Sequence, residues 1–197
     1  DNHDIVINLA PGLPVIAADN FRITDAGYLA LRTELERSTY RWVNDPVQLN
    51  AVADWENGYK QVFYANVALD ALKRISAGRD RDELTGSALF IRSLAYFNLV
   101  TAFAEPYVAG TAASVPGIPI YLAADVNARP GRGNLKQVYD QIVGDLNQSI
   151  DLLPALATVK TRPTKTAALA LLARVYLSME DYPKAGDFAD QALRQNN

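Results

Sequence analysis

Residues 164–195 carry the spacing that most tightly limits what this chain can fold into. Leu169, Leu172, Ala173 and Tyr176 fall in a register of large, large, small and aromatic side chains, and Tyr182, Ala185, Ala189 and Ala192 follow at helical intervals. This is the pattern of a tetratricopeptide hairpin, two antiparallel helices whose close approach depends on small residues. Helix axes come within about 8–10 Å only where one partner presents such residues, and Ala173, Ala185 and Ala192 supply them. Thr164 is placed to cap the first helix, and Glu180 and Asp181 make the turn. Tyr182 and Pro183 open the second helix, where the missing proline N–H leaves nothing unbonded. A hairpin of this kind cannot bury its apolar face alone, so the rest of the chain has to supply neighbours.

The preceding segments repeat the helical period. Asp1 to Asn20 holds Pro11, Gly12 and Pro14 beside a short apolar run, and reads as an extended arm. Thr24 then caps a helix expected to run to about Ser38 on a stripe of Tyr28, Leu31 and Leu35. From Asp54 to about Ser76, Trp55, Tyr59, Val62, Phe63, Asn66, Leu69, Leu72 and Ile75 recur at steps of three and four. Asp80 or Asp82 caps the next helix, spanning residues 83–104, which is apolar nearly all round and therefore packed on several sides. Residues 106–133 form one long non-helical insertion, in which Val115 to Ile120 reads as a rigid extended piece of short-strand type. Asn134 caps a helix striped by Leu135, Val138, Tyr139, Ile142, Leu146, Ile150 and Leu153, which Pro154 closes. The expected class is all-α: a tetratricopeptide-like helical-repeat bundle of about six helices, forming a single domain over residues 1–197.

Composition removes several kinds of chemistry. With no cysteine and a single histidine, His3, the 197 residues provide no thiolate nucleophile, cysteine metal site or multi-histidine metal site. A net charge of −3 with no concentrated run of Lys and Arg argues against a nucleic-acid surface. No metal or cofactor is implied. Asp80, Asp82 and Glu83 crowd together without the glycine and spacing of a calcium loop, and read as a solvated helix start. Gly131-Arg132-Gly133 has no preceding strand of the kind a phosphate loop needs, so it reads as a turn. Asn147-Gln148-Ser149 fits a glycosylation sequon by accident, in mid-helix. No pair of carboxylates stands out as a hydrolase would require. The chain opens on Asp1 without a leader, which says nothing about export.

Aromatic residues divide by periodicity. Trp55, Tyr59, Tyr96, Phe97, Tyr139 and Tyr176 stand at core spacing. Tyr40 and Trp42 do not: they lie with Asn44 and Asp45 in the turn-rich segment 38–54. A flat apolar surface beside fixed hydrogen-bond groups is what a sugar ring requires, so Tyr40, Trp42, Asn44 and Asp45 are the candidate ligand-binding residues. The alternative for Trp42 is a plug folded under the loop.

The segments taken together resemble the amino-terminal part of the SusD/RagB family of outer-membrane nutrient-binding lipoproteins. The stretches that carry the resemblance are residues 55–72 (WENGYKQVFYANVALDAL), 92–103 (RSLAYFNLVTAF), Pro106-Tyr107 and Gly117-Ile118-Pro119. They continue with residues 139–146 (YDQIVGDL), 162–177 (RPTKTAALALLARVYL) and Asp181-Tyr182. Ala104 stands where the family usually has glycine, the family's lipidated cysteine is missing, and family members run to more than twice this length. The resemblance implies a non-catalytic protein at the cell surface, lipid-anchored to the outer membrane in its precursor. It further implies binding of glycans or other oligomeric nutrients, peptides among them, and a SusC-like TonB-dependent transporter as partner. The alternative from another class is a helical-repeat interaction scaffold with no small ligand.

Overall fold

In the computed structural model, which describes residues 12–43, 53–157 and 159–195, three long helices begin where a polar side chain fills the backbone N–H groups left open at a helix start. Asn134 caps α6 (Leu135–Leu152) in a reciprocal box with Gln137. Thr164 caps α7 (Lys165–Ser178), and Asp181 caps α8 (Tyr182–Arg194) with proline in its first turn. The other two long helices are α4 (Ala53–Leu72) and α5 (Arg79–Phe103). These five elements form the bundle, and the class is all-α as the spacing predicts.

The core forms around α5. Tyr96, Leu99 and Val100 are buried among Val62 of α4, Leu135, Val138, Ile142 and Leu146 of α6, and Ala168, Leu172 and Val175 of α7. By length and composition α5 could cross a membrane, but here it is the packed central helix of the bundle. It approaches α4 so closely at Gly58 that a Cβ there would sit 2.7 Å from Leu99 Cγ. The hairpin of α7 and α8 is closed over Ala173, Ala185 and Ala192, all buried, and the rings of Tyr176 and Phe188 stack 5.5 Å apart across it.

Residues 12–43 differ from the sequence reading. The chain was expected to be extended over residues 1–20; residues 1–11 lie outside the described residues, and within 12–20 there is a short helix, α1 (Leu13–Ile16). The single helix expected from Thr24 to Ser38 is two, α2 (Asp25–Leu29) and α3 (Glu34–Tyr40). The cause is a second start signal: the Thr33 hydroxyl accepts from Glu36 N while the Glu36 carboxylate accepts from Thr33 N. None of Tyr28, Leu31 and Leu35 is fully buried. Eight helices are therefore described where about six were expected.

Other boundaries shift less. Neither Asp80 nor Asp82 caps α5; Gly78 precedes it and both carboxylates fall in the first turn, at the positive end of the helix dipole. α4 stops at Leu72, leaving Ile75 half exposed. In the insertion, β1 (Pro116–Pro119) pairs antiparallel with β2 (Arg132–Asn134), so the extended piece is a strand and Gly131-Arg132-Gly133 leads into its partner. Gly117 is required there: a Cβ would meet Asn134 O at 2.8 Å.

Candidate functional site

The segment singled out by its aromatics separates into two kinds of residue. Tyr40, at the end of α3, packs its ring between Phe21 and Tyr28, 6.1 Å from each, and its hydroxyl accepts from Ile23 N at 3.2 Å. It ties the end of α3 to residues 21–28. Trp42 is 71% exposed. Its φ of 53° lies in the left-handed region, a conformation costing roughly 1–2 kcal/mol for a residue with a Cβ. Asn44 and Asp45 lie outside the described residues.

A second surface, which periodicity assigned to packing, lies where α4 meets the insertion. Trp55, Tyr59 and Phe63 on α4 face Pro119, Tyr121, Val126 and Ala128 across an open cleft of about 430 Å³. Its polar groups are Glu56, Lys60, Asp125 and Arg129. Trp55, Tyr59 and Phe63 are half-buried; periodicity placed Trp55 and Tyr59 correctly against the core but did not reveal their free sides. Ring contacts fix them: Trp55 meets Tyr59 at 4.8 Å and Phe103 edge-on at 5.2 Å, and Tyr59 meets Tyr121 at 5.5 Å. Rigid rings beside a few charged groups make a surface suited to a flat, hydroxyl-bearing ligand. The signal in the sequence was the i, i+4 pair Trp55 and Tyr59 with Glu56 and Lys60, a second i, i+4 pair, beside it.

The insertion wall of the cleft is held from beneath by side chains. Tyr59 Oη donates to Pro119 O at 2.8 Å, and Tyr96 Oη both donates to Tyr121 O at 2.7 Å and accepts from Tyr121 N at 2.6 Å. Asn66 Nδ2 donates to Tyr121 O at 2.9 Å and Ala123 O at 3.4 Å, and Asp70 Oδ2 accepts from Ala124 N at 3.2 Å. Behind Asn66 stands Arg92, which donates to both Asp145 oxygens at 2.7 and 2.8 Å and to Asn66 Oδ1 at 2.8 Å. Arg92, Asp145 and Asn66 are all buried. Burial drives the Tyr96 hydroxyl well above its ordinary pKa, with the Tyr121 hydrogen bond pulling the other way. The Tyr59 hydroxyl is pushed up in the same direction by burial and by the neighbouring Tyr96 and Tyr121. Both hydroxyls are therefore neutral donors near neutral pH.

The remaining candidates resolve simply. Glu83 lies 4.0 Å from Arg162, and Ser149 of the sequon is buried with its hydroxyl donating to Gly86 O. Among the described residues no group of His, Asp or Glu is arranged to hold a metal ion. The outer face of α7 and α8 carries an apolar groove of about 650 Å³, bordered by Ala170, Ala173, Leu177, Ala189 and Leu193.

Comparison with known proteins agrees with this architecture. The chain is 27% identical over 177 residues to SusD-like protein P2 of Formosa agariphila, covering 89% of this chain and 32% of that protein. Among solved structures, a putative sugar binding protein from Bacteroides vulgatus superposes with a TM-score of 0.73 at 27% identity, covering 83% of this chain and 37% of that one. A SusD superfamily protein from Bacteroides thetaiotaomicron gives 0.73 at 28% identity, covering 85% and 38%. The chain thus spans about a third of the length of these relatives. Residues 14–177 match the SusD-like family model described as starch-binding and associating with the outer membrane, and the chain belongs to that family.

Proposed function

We propose that this chain contributes a glycan-contacting surface to a non-catalytic nutrient-binding protein of the outer membrane. The observation that carries the reading is the cleft of about 430 Å³ in which Trp55, Tyr59 and Phe63 stand beside Glu56, Lys60, Asp125 and Arg129. Sugars bind by laying a C–H face on an aromatic ring and exchanging hydroxyl hydrogen bonds with nearby polar groups. Trp42, exposed two positions after Tyr40, provides a second platform, and Asn44 and Asp45, which follow it in the sequence, are its proposed polar companions.

One platform with two or three hydrogen bonds to a solvated sugar gives affinity of about 1 mM, roughly −4 kcal/mol. Retention then depends on a polymer that touches several platforms, or on a partner that closes over it. The family's association with the outer membrane supports such an arrangement, in which a lipid-anchored protein at the cell surface delivers glycans or other oligomeric nutrients, peptides among them, to a SusC-like TonB-dependent transporter.

Calorimetric titration of the intact protein with maltoheptaose, laminarihexaose and a set of oligopeptides tests the reading. Binding of a glycan that Lys60→Ala and Trp42→Ala each weaken, with folding unchanged, supports it. Silence from every glycan and peptide, by a protein shown to be folded, overturns it. The α7/α8 groove favours a second reading, an interaction scaffold without a small ligand. In that case Leu177→Lys abolishes partner retention while Trp42→Ala and Lys60→Ala change nothing.

A further inference from the structure

We propose that Arg92 is a positioning residue for the cleft, acting through the Asn66 amide on the backbone of residues 121–124. Its consequence for affinity rests on the glycan-binding reading.

Arginine carries donors only. Two of its nitrogens are taken by the two Asp145 oxygens, so Nη1 is the group that faces Asn66, at 2.8 Å. Only an acceptor satisfies that donor, which fixes the amide with Oδ1 toward Arg92 and Nδ2 toward the insertion. An asparagine without such a neighbour could present either atom. With Nδ2 so aimed, the insertion has to offer carbonyls, and it does: Tyr121 O at 2.9 Å and Ala123 O at 3.4 Å. Asn66 is 1% exposed and Arg92 7%, so water is not at hand to replace a lost partner. Asp145 holds the guanidinium square to this task, and Gln141 Nε2 donates to the same carboxylate at 2.8 Å.

The chain of contacts runs from α6 through α5 and α4 to the cleft. Tyr121 and Ala123, whose carbonyls are held, line the cleft themselves, and Asp125, Val126 and Arg129 follow in the same loop. A ligand therefore meets a wall already ordered on folding and does not lose affinity by ordering it. A purely structural ion pair would tie α5 to α6 and leave the loop indifferent; the third hydrogen bond, to Asn66, is what connects the pair to the cleft.

The discriminating variant is Asn66→Asp, studied at pH 8 in the intact protein. It keeps the shape and the acceptor for Arg92 but replaces the loop-facing donor by an acceptor. Arg92→Lys is the companion, since one ammonium cannot hold Asp145 in a fork and also reach Asn66. Hydrogen exchange over residues 119–124 is expected to quicken by about tenfold or more in both, and by clearly more than in α5 and α6. Maltoheptaose affinity is expected to fall by about tenfold. Unchanged loop exchange in the two variants overturns the proposal, as does an equal rise across α5 and α6, or a loosened loop with undiminished binding. Should the unmodified protein bind no maltoheptaose, that ligand alone is excluded from the glycan-binding reading, and loop exchange still decides whether Arg92 sets the loop.

Discussion

The insertion between α5 and α6 and the amino-terminal segment 12–43 invert the usual association of order with regular structure. The insertion has two strands of four and three residues and otherwise little regular structure, yet its backbone is gripped at residues 119, 121, 123 and 124 by Tyr59, Tyr96, Asn66 and Asp70. The amino-terminal segment contains three helices, none of which has a buried residue. One link to the bundle is a single carboxylate, Asp54, which accepts from Gly12 N at 3.1 Å and Leu13 N at 2.8 Å. Secondary structure satisfies backbone groups locally; attachment to a core needs apolar burial or long-range partners, and the two need not coincide.

The contrast can be broken most forcefully at Arg92. Replacing it by leucine strands the buried Asp145 carboxylate, and denaturant unfolding is expected to show a loss of about 3–5 kcal/mol. A loss below 1 kcal/mol would mean that the buried Arg92–Asp145 pair behind Asn66 does not hold the bundle as the geometry indicates.

Tyr96→Phe is next in size. It removes the hydroxyl that serves both Tyr121 N and Tyr121 O; the carbonyl keeps Asn66 Nδ2 but the part-buried N–H is left unpaired, at a cost of roughly 1–3 kcal/mol. Both Tyr59 and Tyr96 have pKa values raised on folding, so their protonated forms favour the native state. That contribution is complete below the unfolded tyrosine pKa of about 10 and is lost as pH climbs above it. Stability measured from pH 8 upward should therefore decline beyond about pH 10, and decline less in Tyr96→Phe.

The smallest effect belongs to the amino-terminal segment. Thr33→Ala removes the cap of α3 and should cost about 1 kcal/mol, but only within residues 33–40. Local exchange there is expected to accelerate while the global unfolding midpoint stays put. A shift of the global midpoint would show that the segment belongs to the cooperative unit and would erase the contrast.

Much of this was legible in the sequence, for reasons that differ by element. The α7/α8 hairpin and α6 were readable because the caps Thr164 and Asn134, the turn at Glu180-Asp181 and the apolar stripes point to the same boundaries. The break between α2 and α3 was also written there, in the Thr33 and Glu36 pair, but the longer periodic stripe masked it. The strand at Pro116–Pro119 was visible as an extended piece, whereas its pairing with Arg132–Asn134 is a contact between segments that no local pattern records. The cleft was hidden for a similar reason: Trp55 and Tyr59 have core spacing, and only the path of the insertion shows that one side of each stays open. Arg92 and Asp145, 53 positions apart, could be matched only by the packing of α5 on α6.

Residue-resolved hydrogen exchange on the unmodified protein tests most directly whether the insertion is fixed by side chains from the bundle. The account predicts that Tyr121 and Ala124 amides, bonded to Tyr96 and Asp70, exchange on the timescale of α5, far more slowly than the helical amides of residues 36–40. If the helices of segment 12–43 prove as protected as α5 while residues 121–124 exchange freely, the buried side chains do not set the cleft wall and the account is wrong.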